Sequence, residues 1–518
     1  MKLSDFKKAY DTLFKSPEDF KDQSKIERVS KLLSDRYLKR TFKPFNYQIP
    51  AIFAISNCGN IILSDKPGLG KTAETIAAFS DIYTKEKGKY IVVCPASIIG
   101  QWKDSVIRFS NFIPLIVNSQ NLHKLEKIDK DGIDIVIMSY NTAVKLYQTG
   151  YYYPFNTIVF DEAESLKAPN TDFYKYLSNA ALKIKRKILL TGTPSTGKLE
   201  DSFCYLSILT NGQYSYFGLL NKYCEQTKKK IPIFDKYTGA RRNLELKIIT
   251  SYKNIEEFKE LFNSYVFGRS IEETGAEMPK QNKHLVLLDK VDFQQKFEDL
   301  TIKGVFINTD KTQRKLNNLQ KISYLARGFH SMKMLYPEAS VSNPKIDKIF
   351  ELIEENKGKQ VAIFCNYKQI LQEIYPVLKE RGGCTIISGD VSRTKRINDL
   401  EDFRSGKTQY IIFTLAGYAG IDLNNCDTLI VADFVYSKSK FDQILGRITR
   451  CSSNFKEVDV YLLAYKDSID TAILELLGSR QQMKDFIDTL SEERVSEILL
   501  NNLKKKGHID LSFNVNSL

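Results

Sequence analysis

Residues 61–79 read IILSDKPGLGKTAETIAAF. An apolar, strand-like run (61–64) stops at Asp65, glycines follow at 68 and 70, and a helical pattern begins near Lys71. The backbone amides of such a loop, with the helix N-terminus behind them, can cradle phosphates. Gly68, Leu69 and Gly70 would supply the amides, Lys71 would reach the β- and γ-phosphates, and the Thr72 hydroxyl would hold Mg2+. A strict phosphate loop carries glycine five residues before Gly70, and here Asp65 stands in that place. Taken alone, the stretch also reads as a plain turn.

Beyond this stretch, short β-branched runs alternate with helical patterns, which predicts parallel α/β architecture. GNIILSD, KYIVVCPA, DIVIMSY, TIVFDEAE and KILLTGTP form one set; QVAIFCNY, CTIISGD, QYIIFTLA, TLIVADF and VDVYLLAY form a second. Between them, residues of about 200 to 343 read as polar helices and loops. The expected organisation is an N-terminal helical extension (1–40), a first lobe (41–200), a helical insertion and linker (201–343), a second lobe (344–466) and C-terminal helices (467–518).

Ninety residues after the glycine loop, TIVFDEAE ends a strand on two adjacent carboxylates. Asp161 suits Mg2+ coordination, and Glu162 suits polarising an attacking water. Following a GKT loop in an α/β lobe, the pair reads as catalytic rather than as a solvated turn. Near the end of the second set, FDQILGRITR places Gln443, Arg447 and Arg450 at helical spacing. On one helix face, the arginines could neutralise charge developing on a γ-phosphate. Standing alone, the same motif is a basic surface helix.

The chain of 518 residues has a formal charge of +14 and 42% hydrophobic residues. Basic clusters lie at 183–187, 228–230, 241–242 and 504–506. They suit a polyanion or a solvated lysine-rich surface, and charge alone does not separate the two. No apolar run approaches a membrane span, and the N-terminus lacks a signal-peptide stretch. A cytoplasmic location is therefore expected. The eight cysteines fall singly, without a paired Cys/His spacing, so free thiols and no zinc site are expected.

In order, Tyr47-Gln48, DKPGLGKT (65–72), CPASIIGQW (94–102), IMSYNTA (137–143), DEAESLKAPNT (161–171), LTGTPSTGKLED (190–201), IFCNY (363–367), TLAGYAGIDL (414–423) and QILGRITR (443–450) resemble the Swi/Snf-type branch of helicase superfamily 2. NKYCEQ, FDKYTGARRNLEL (234–246) and MPKQNKHLVLLD (278–289) are similar to its annealing-helicase, fork-remodelling subgroup, and AYKDSIDTAILELLGSRQ to a brace helix. The sequence departs from the pattern at Glu164 (usually His), Tyr418 (Gly), Asp422 (Asn), Thr449 (His) and CSS 451–453 (IGQ).

The resemblance implies two RecA-like lobes and an ATPase requiring ATP and Mg2+, the metal held through Thr72 and Asp161. Gln48 would read the adenine edge, and Gly420, Asp422 and Gln443 would join the nucleotide contacts. Thr191 and Thr193 would relay nucleotide state. Pro95, Ser97, Ser139, Tyr140, Asn366, Tyr367 and Thr414 would grip phosphates of double-stranded or branched DNA, as strand-end loops are suited to do. Trp102 is expected to pack within the lobe rather than stack on a base. A monomeric translocase is expected, with an RNA or DNA unwinding helicase and a nucleotide-gated clamp as the other readings. Little chain is left for histone-binding domains, and the Lys/Asn/Ile-rich composition suggests a phage or viral source.

Overall fold

The coordinates are a computed structural model. It describes residues 1–482 apart from 152–153, 193, 195–198, 235–240, 304, 308–312, 336–341, 416–420 and 451–452, together with 499–500 and 503. The chain divides into two units, Met1–Ala276 and Glu277–Leu518.

In the first unit the strands are β1 (Ile61–Leu63), β2 (Tyr90–Cys94), β3 (Pro114–Ile116), β4 (Ile135–Ser139), β5 (Thr157–Asp161), β6 (Arg186–Leu190), a hairpin of β7 (Cys224–Phe234) and β8 (Arg241–Tyr252), and β9 (Val266–Phe267). Seven form one sheet in the order β3-β4-β2-β5-β6-β1-β9, and every pairing in it is parallel. Parallel strands need helical crossovers that cover both sheet faces, so central strands read as unbroken apolar runs. β1, β2 and β4 are buried throughout their length.

The second unit holds β10 (Lys280–Leu288), a short pair β11 (Val305–Ile307) and β12 (Gln313–Lys315), β13 (Val361–Phe364), β14 (Cys384–Ile387), β15 (Tyr410–Phe413), β16 (Thr428–Val431) and β17 (Glu457–Tyr465). Its six-stranded sheet runs β10-β17-β16-β13-β15-β14, again parallel throughout. All ten strand-like runs of the sequence are strands here.

The middle segment differs from its reading as helices and loops. Helices Leu199–Leu209, Tyr216–Tyr223 and Ile255–Asn263 pack onto the first core through Phe203, Leu219, Tyr223, Phe258 and Phe262. The segment also contains the β7–β8 hairpin, and β9 extends the first sheet beside β1. From Lys280, β10 pairs with β17 over nine residues. These strands are less legible than the core strands because they are only partly covered: β10 is an edge strand with no fully buried residue, and its first half, Lys280–His284, is polar. The helix Ile469–Gln482, in the brace-like stretch, adds Ile469, Ala472, Ile473, Leu474 and Leu477 to the second core.

Candidate active site

Open parallel sheets bind ligands beyond the carboxyl ends of their strands. At that edge of the first unit, the loop after β1, the loop after β6 and the carboxylates ending β5 come from three neighbouring strands. Gly68 and Gly70 both take positive φ, 97° and 92°. At Gly70 a side chain is excluded twice, by that conformation and by Gln48 Nε2, which lies 2.5 Å from where a Cβ would stand. Gln48 is fixed at both ends of its amide: Oε1 accepts from the Phe45 amide at 3.0 Å, and Nε2 donates to the Leu69 carbonyl at 2.9 Å. Tyr47 donates to the same carbonyl at 3.2 Å. Here Gln48 therefore holds the loop backbone.

The helix Lys71–Lys85 starts directly from Gly70 without a side-chain cap, which leaves its first amides for a ligand. Lys71 donates to the Asp65 carbonyl at 2.6 Å, across the loop it would release for a phosphate. Below the loop lies Arg269, a residue that sequence reasoning missed. Its guanidinium binds Asp65 and the Tyr47 carbonyl, and reaches Glu74 at 3.1 Å. The Asp65 in place of the usual glycine is the one local hint that a buried cation is needed.

Asp161 and Glu162 stand together at the end of β5. Asp161 Oδ1 accepts from the Glu162 amide at 2.9 Å, and Oδ2 accepts from Trp102 Nε1 at 2.7 Å. Burial pushes the Asp161 carboxyl up, opposed by the Trp102 hydrogen bond and the Lys71 charge. A buried carboxylate and a threonine hydroxyl are hard oxygen donors of the kind that Mg2+ prefers, so the chemistry of Thr72 and Asp161 suits the metal. Glu162 lies in the left-handed region, φ 50° and ψ 58°, a strain that non-glycine residues hold mainly where function requires it. Thr191 donates its hydroxyl to Glu164 and its amide to the Leu63 carbonyl at 3.2 Å. One residue thus bridges the glycine-loop strand and the carboxylate segment.

In the second unit the arginine segment is not the helix that its spacing suggests. The helix Lys438–Leu445 ends on Gly446, so Gln443 is helical while Arg447 and Arg450 lie beyond it. The arginines meet at residues 421–423 instead. Arg447 Nη1 donates to the Ile421 carbonyl at 3.2 Å, its carbonyl accepts from the Leu423 amide, and Arg450 lies 3.9 Å from Asp422.

Residues 28–335 match the family model described as SNF2-related domain, and 344–452 the helicase conserved C-terminal domain. The chain belongs to the SNF2-related family. Similar proteins include the uncharacterized ATP-dependent helicase YqhH of Bacillus subtilis (strain 168), 23% identical over 96% of this chain and 88% of that protein. The ATP-dependent DNA helicase DDM1 of Arabidopsis thaliana is 23% identical over 83% of this chain and 59% of its own length. Among solved structures, the Sulfolobus solfataricus SWI2/SNF2 ATPase core in complex with dsDNA is similar at 21% identity and a TM-score of 0.39, covering 91% of this chain and 98% of that one. The chain spans about half the length of several curated relatives, 51% in a Caenorhabditis elegans SWI/SNF-related protein.

This SNF2-type ATPase core treats the expected phosphate-gripping residues unequally. Pro95 and Ser97, on the turn before helix Ile99–Phe109, are partly exposed, as are Asn366 and Tyr367 after β13. Thr414 is 5% exposed. Ser139 caps the helix Tyr140–Gln148, accepting from the Thr142 amide at 3.1 Å. Tyr140 is corrected: it is 4% exposed and donates its hydroxyl to the Asp161 carbonyl at 3.0 Å, so its ring is turned away from any ligand in solvent. Trp102 is packed within the unit, 1% exposed. Thr193, Tyr418 and Gly420 lie outside the described residues, as do Lys504–Lys506 and the side chains of Lys229, Lys230, Arg241 and Arg242. No helix among the described residues is long and apolar enough to cross a membrane.

Proposed function

We propose that the chain is an ATP-driven translocase acting on double-stranded DNA, with remodelling of branched DNA as its task. The observation that carries the ATPase step is the assembly of Lys71, Asp161 and the strained Glu162 at one sheet edge. Lys71 leaves the Asp65 carbonyl for the phosphates, and Gln48 senses the nucleotide through its grip on Leu69. Thr72 and Asp161 would hold Mg2+, which would supply neutralisation of phosphate charge. Glu162 orients and deprotonates the attacking water, and Arg447 and Arg450 act on the charge that develops in transfer. Thr191, with Thr193, relays nucleotide state through Glu164.

The choice of DNA is supported by the net charge of +14, by the sequence blocks that resemble duplex-tracking motors, and by DDM1, a relative named as a DNA helicase. Phosphate contacts release counterions, so binding to B-DNA should weaken with a log–log salt slope of about −0.9 per contact.

Two measurements test this. Duplex or forked DNA should stimulate phosphate release more than single strands or RNA, and the stimulation should fall steeply with salt. Stronger stimulation by RNA than by any DNA overturns the substrate. Glu162→Gln should bind ATP yet hydrolyse it at least ~10²-fold more slowly, because the water loses its base. Hydrolysis at the wild-type rate would remove Glu162 from the chemistry and favour a nucleotide-gated clamp.

A further inference from the structure

Strands β4, β2 and β5 are neighbours in the first sheet, and the segments at their carboxyl ends face different tasks. After β2 comes the turn with Pro95 and Ser97; after β4 comes Ser139; β5 ends on Asp161 and Glu162. Each of the first two segments leads into a helix whose first turn carries a buried aromatic with a polar tip. From the helix Ile99–Phe109, Trp102 donates its indole N–H to Asp161 Oδ2 at 2.7 Å. From the helix Tyr140–Gln148, Tyr140 donates its hydroxyl to the carbonyls of Asp161, at 3.0 Å, and Glu162, at 3.4 Å.

The two contacts act on different degrees of freedom. With Oδ2 held by Trp102 and Oδ1 by the Glu162 amide at 2.9 Å, the Asp161 carboxylate cannot rotate about its Cβ–Cγ bond without losing both. Tyr140 grips the peptide on either side of Glu162, whose left-handed backbone costs energy and persists only where its surroundings over-determine it. Both rings are almost fully buried, at 1% and 4% exposure, so neither N–H nor O–H has water to turn to.

We propose that Trp102 and Tyr140 are positioning residues that set the geometry of Asp161 and Glu162 and tie it to the two loops leading into their helices. The proposal rests on the reading of Asp161 as a metal-binding carboxylate and of those loops as DNA contacts. A shift of either loop moves its helix, and the aromatic hydrogen bond carries that shift to the Asp161 carboxylate, from Trp102, or to the backbone on either side of Glu162, from Tyr140. DNA-stimulated hydrolysis follows without a separate messenger.

The test uses the whole chain with Trp102→Phe and Tyr140→Phe, which keep an aromatic ring and remove the polar tip. Outer-sphere partners of metal ligands typically affect metal affinity or activity ~10- to 100-fold. Trp102→Phe is therefore expected to raise the Mg2+ concentration for half-maximal hydrolysis about 10-fold, with metal-free binding of a fluorescent ATP analogue unchanged. Tyr140→Phe is expected to lower kcat and the ratio of DNA-stimulated to basal hydrolysis, without moving the Mg2+ midpoint. Because Trp102 is the sole tryptophan, the wild-type emission reads this contact directly. It should change on adding Mg·ADP, and Asp161→Asn should abolish the change. A Trp102→Phe chain with a wild-type Mg2+ midpoint, or a tryptophan emission blind to Mg·ADP, overturns the proposal. If Asp161→Asn itself hydrolyses ATP normally, the reading of the site fails instead.

Discussion

Each unit buries one cation against two carboxylates, and the two clusters are built differently. In the first, Arg269 forks onto Asp65 and also reaches Glu74 at 3.1 Å, with all three at 4% exposure or less. In the second, Lys345 lies 2.9 Å from Asp470 and 3.9 Å from Asp433, and donates to the Ala432 carbonyl at 2.6 Å. A guanidinium offers several donors in a fixed plane and can serve two acids and a carbonyl at once; an ammonium is a point charge that must favour one acid. Each cluster ties down a loop at a strand end: Asp65 opens the glycine loop, and Asp433 Oδ2 accepts from the Tyr367 amide at 3.1 Å. With one cation for two acids, one carboxyl in each cluster stays protonated more readily than in water. In the first unit that is Glu74, pushed well up by burial and by Asp65. In the second it is Asp433, raised by burial to about 6.

Removing the fork should cost most. Arg269→Met keeps much of the volume but leaves Asp65 and Glu74 buried without their cation, a change that costs about 3–5 kcal/mol in buried pairs. The first unit should lose that much stability, read by urea unfolding through Trp102 fluorescence, and ATP affinity should fall because Asp65 anchors the loop. A loss below about 1 kcal/mol, the scale of an exposed pair, would show that the fork is replaceable by packing.

Arg269 also marks where the sequence stops being legible. The glycine loop and the DEAE segment declare themselves because their chemistry is local: glycines at positive φ, a strand ending on carboxylates, a helix starting at Lys71. The ten core strands declare themselves because most of their residues are apolar and buried. Arg269, 204 residues from Asp65, has no local pattern, and neither has the Trp102–Asp161 bond across 59 residues. The arginine segment failed for another reason. The spacing of Gln443, Arg447 and Arg450 fits a helix, but Gly446 ends it, and Ile448 and Thr449 gain little from continuing one. Tyr140 was misplaced because a buried tyrosine with a satisfied hydroxyl and a surface tyrosine look alike in sequence.

A smaller effect is expected from Asp433→Asn, and it is visible only against pH. The folded carboxyl titrates at about 6 against 3.8 for its ordinary value. Below pH 4 both states hold the proton and nothing depends on it. Between about 4 and 6 the unfolded chain has released the proton and the folded unit keeps it, so wild-type stability falls as pH rises, by about 3 kcal/mol across the window. The amide that replaces the carboxyl can still accept from Tyr367 and carries no such dependence. The stability of the Asp433→Asn chain minus that of the wild type should therefore grow from about pH 4 to 6 and then level off. Thermal unfolding by circular dichroism reads it, with Trp102 emission identifying the first unit's transition. A flat difference would mean that Lys345 keeps Asp433 ionised despite its burial.

The smallest effect belongs to Glu74→Gln, and its smallness probes the first cluster more finely. Arg269 Nη2 donates to Glu74 Oε1 at 3.1 Å, while Oε2 has no donor to accept from. An oxygen without a donor, in a carboxyl that burial and Asp65 push up, is the arrangement of a carboxylic acid that keeps its proton. Glutamine reproduces it, with an oxygen for the guanidinium and an N–H where the acid has its O–H. Since burial and the nearby Asp65 raise the folded carboxyl well above its ordinary value, the folded unit keeps its proton to higher pH than the unfolded chain does, and the amide is spared that cost. Glu74→Gln should thus match the wild type near pH 4 and equal or exceed its stability at about pH 7. Glu74→Ala, which empties the position, should lose stability at both pH values. Were Glu74 ionised in the fold, the glutamine variant would remove half of Arg269's counter-charge and fall on the side of Arg269→Met, destabilised at neutral pH and less so as the pH drops. The sign of one variant at two pH values decides whether the fork holds two anions or one.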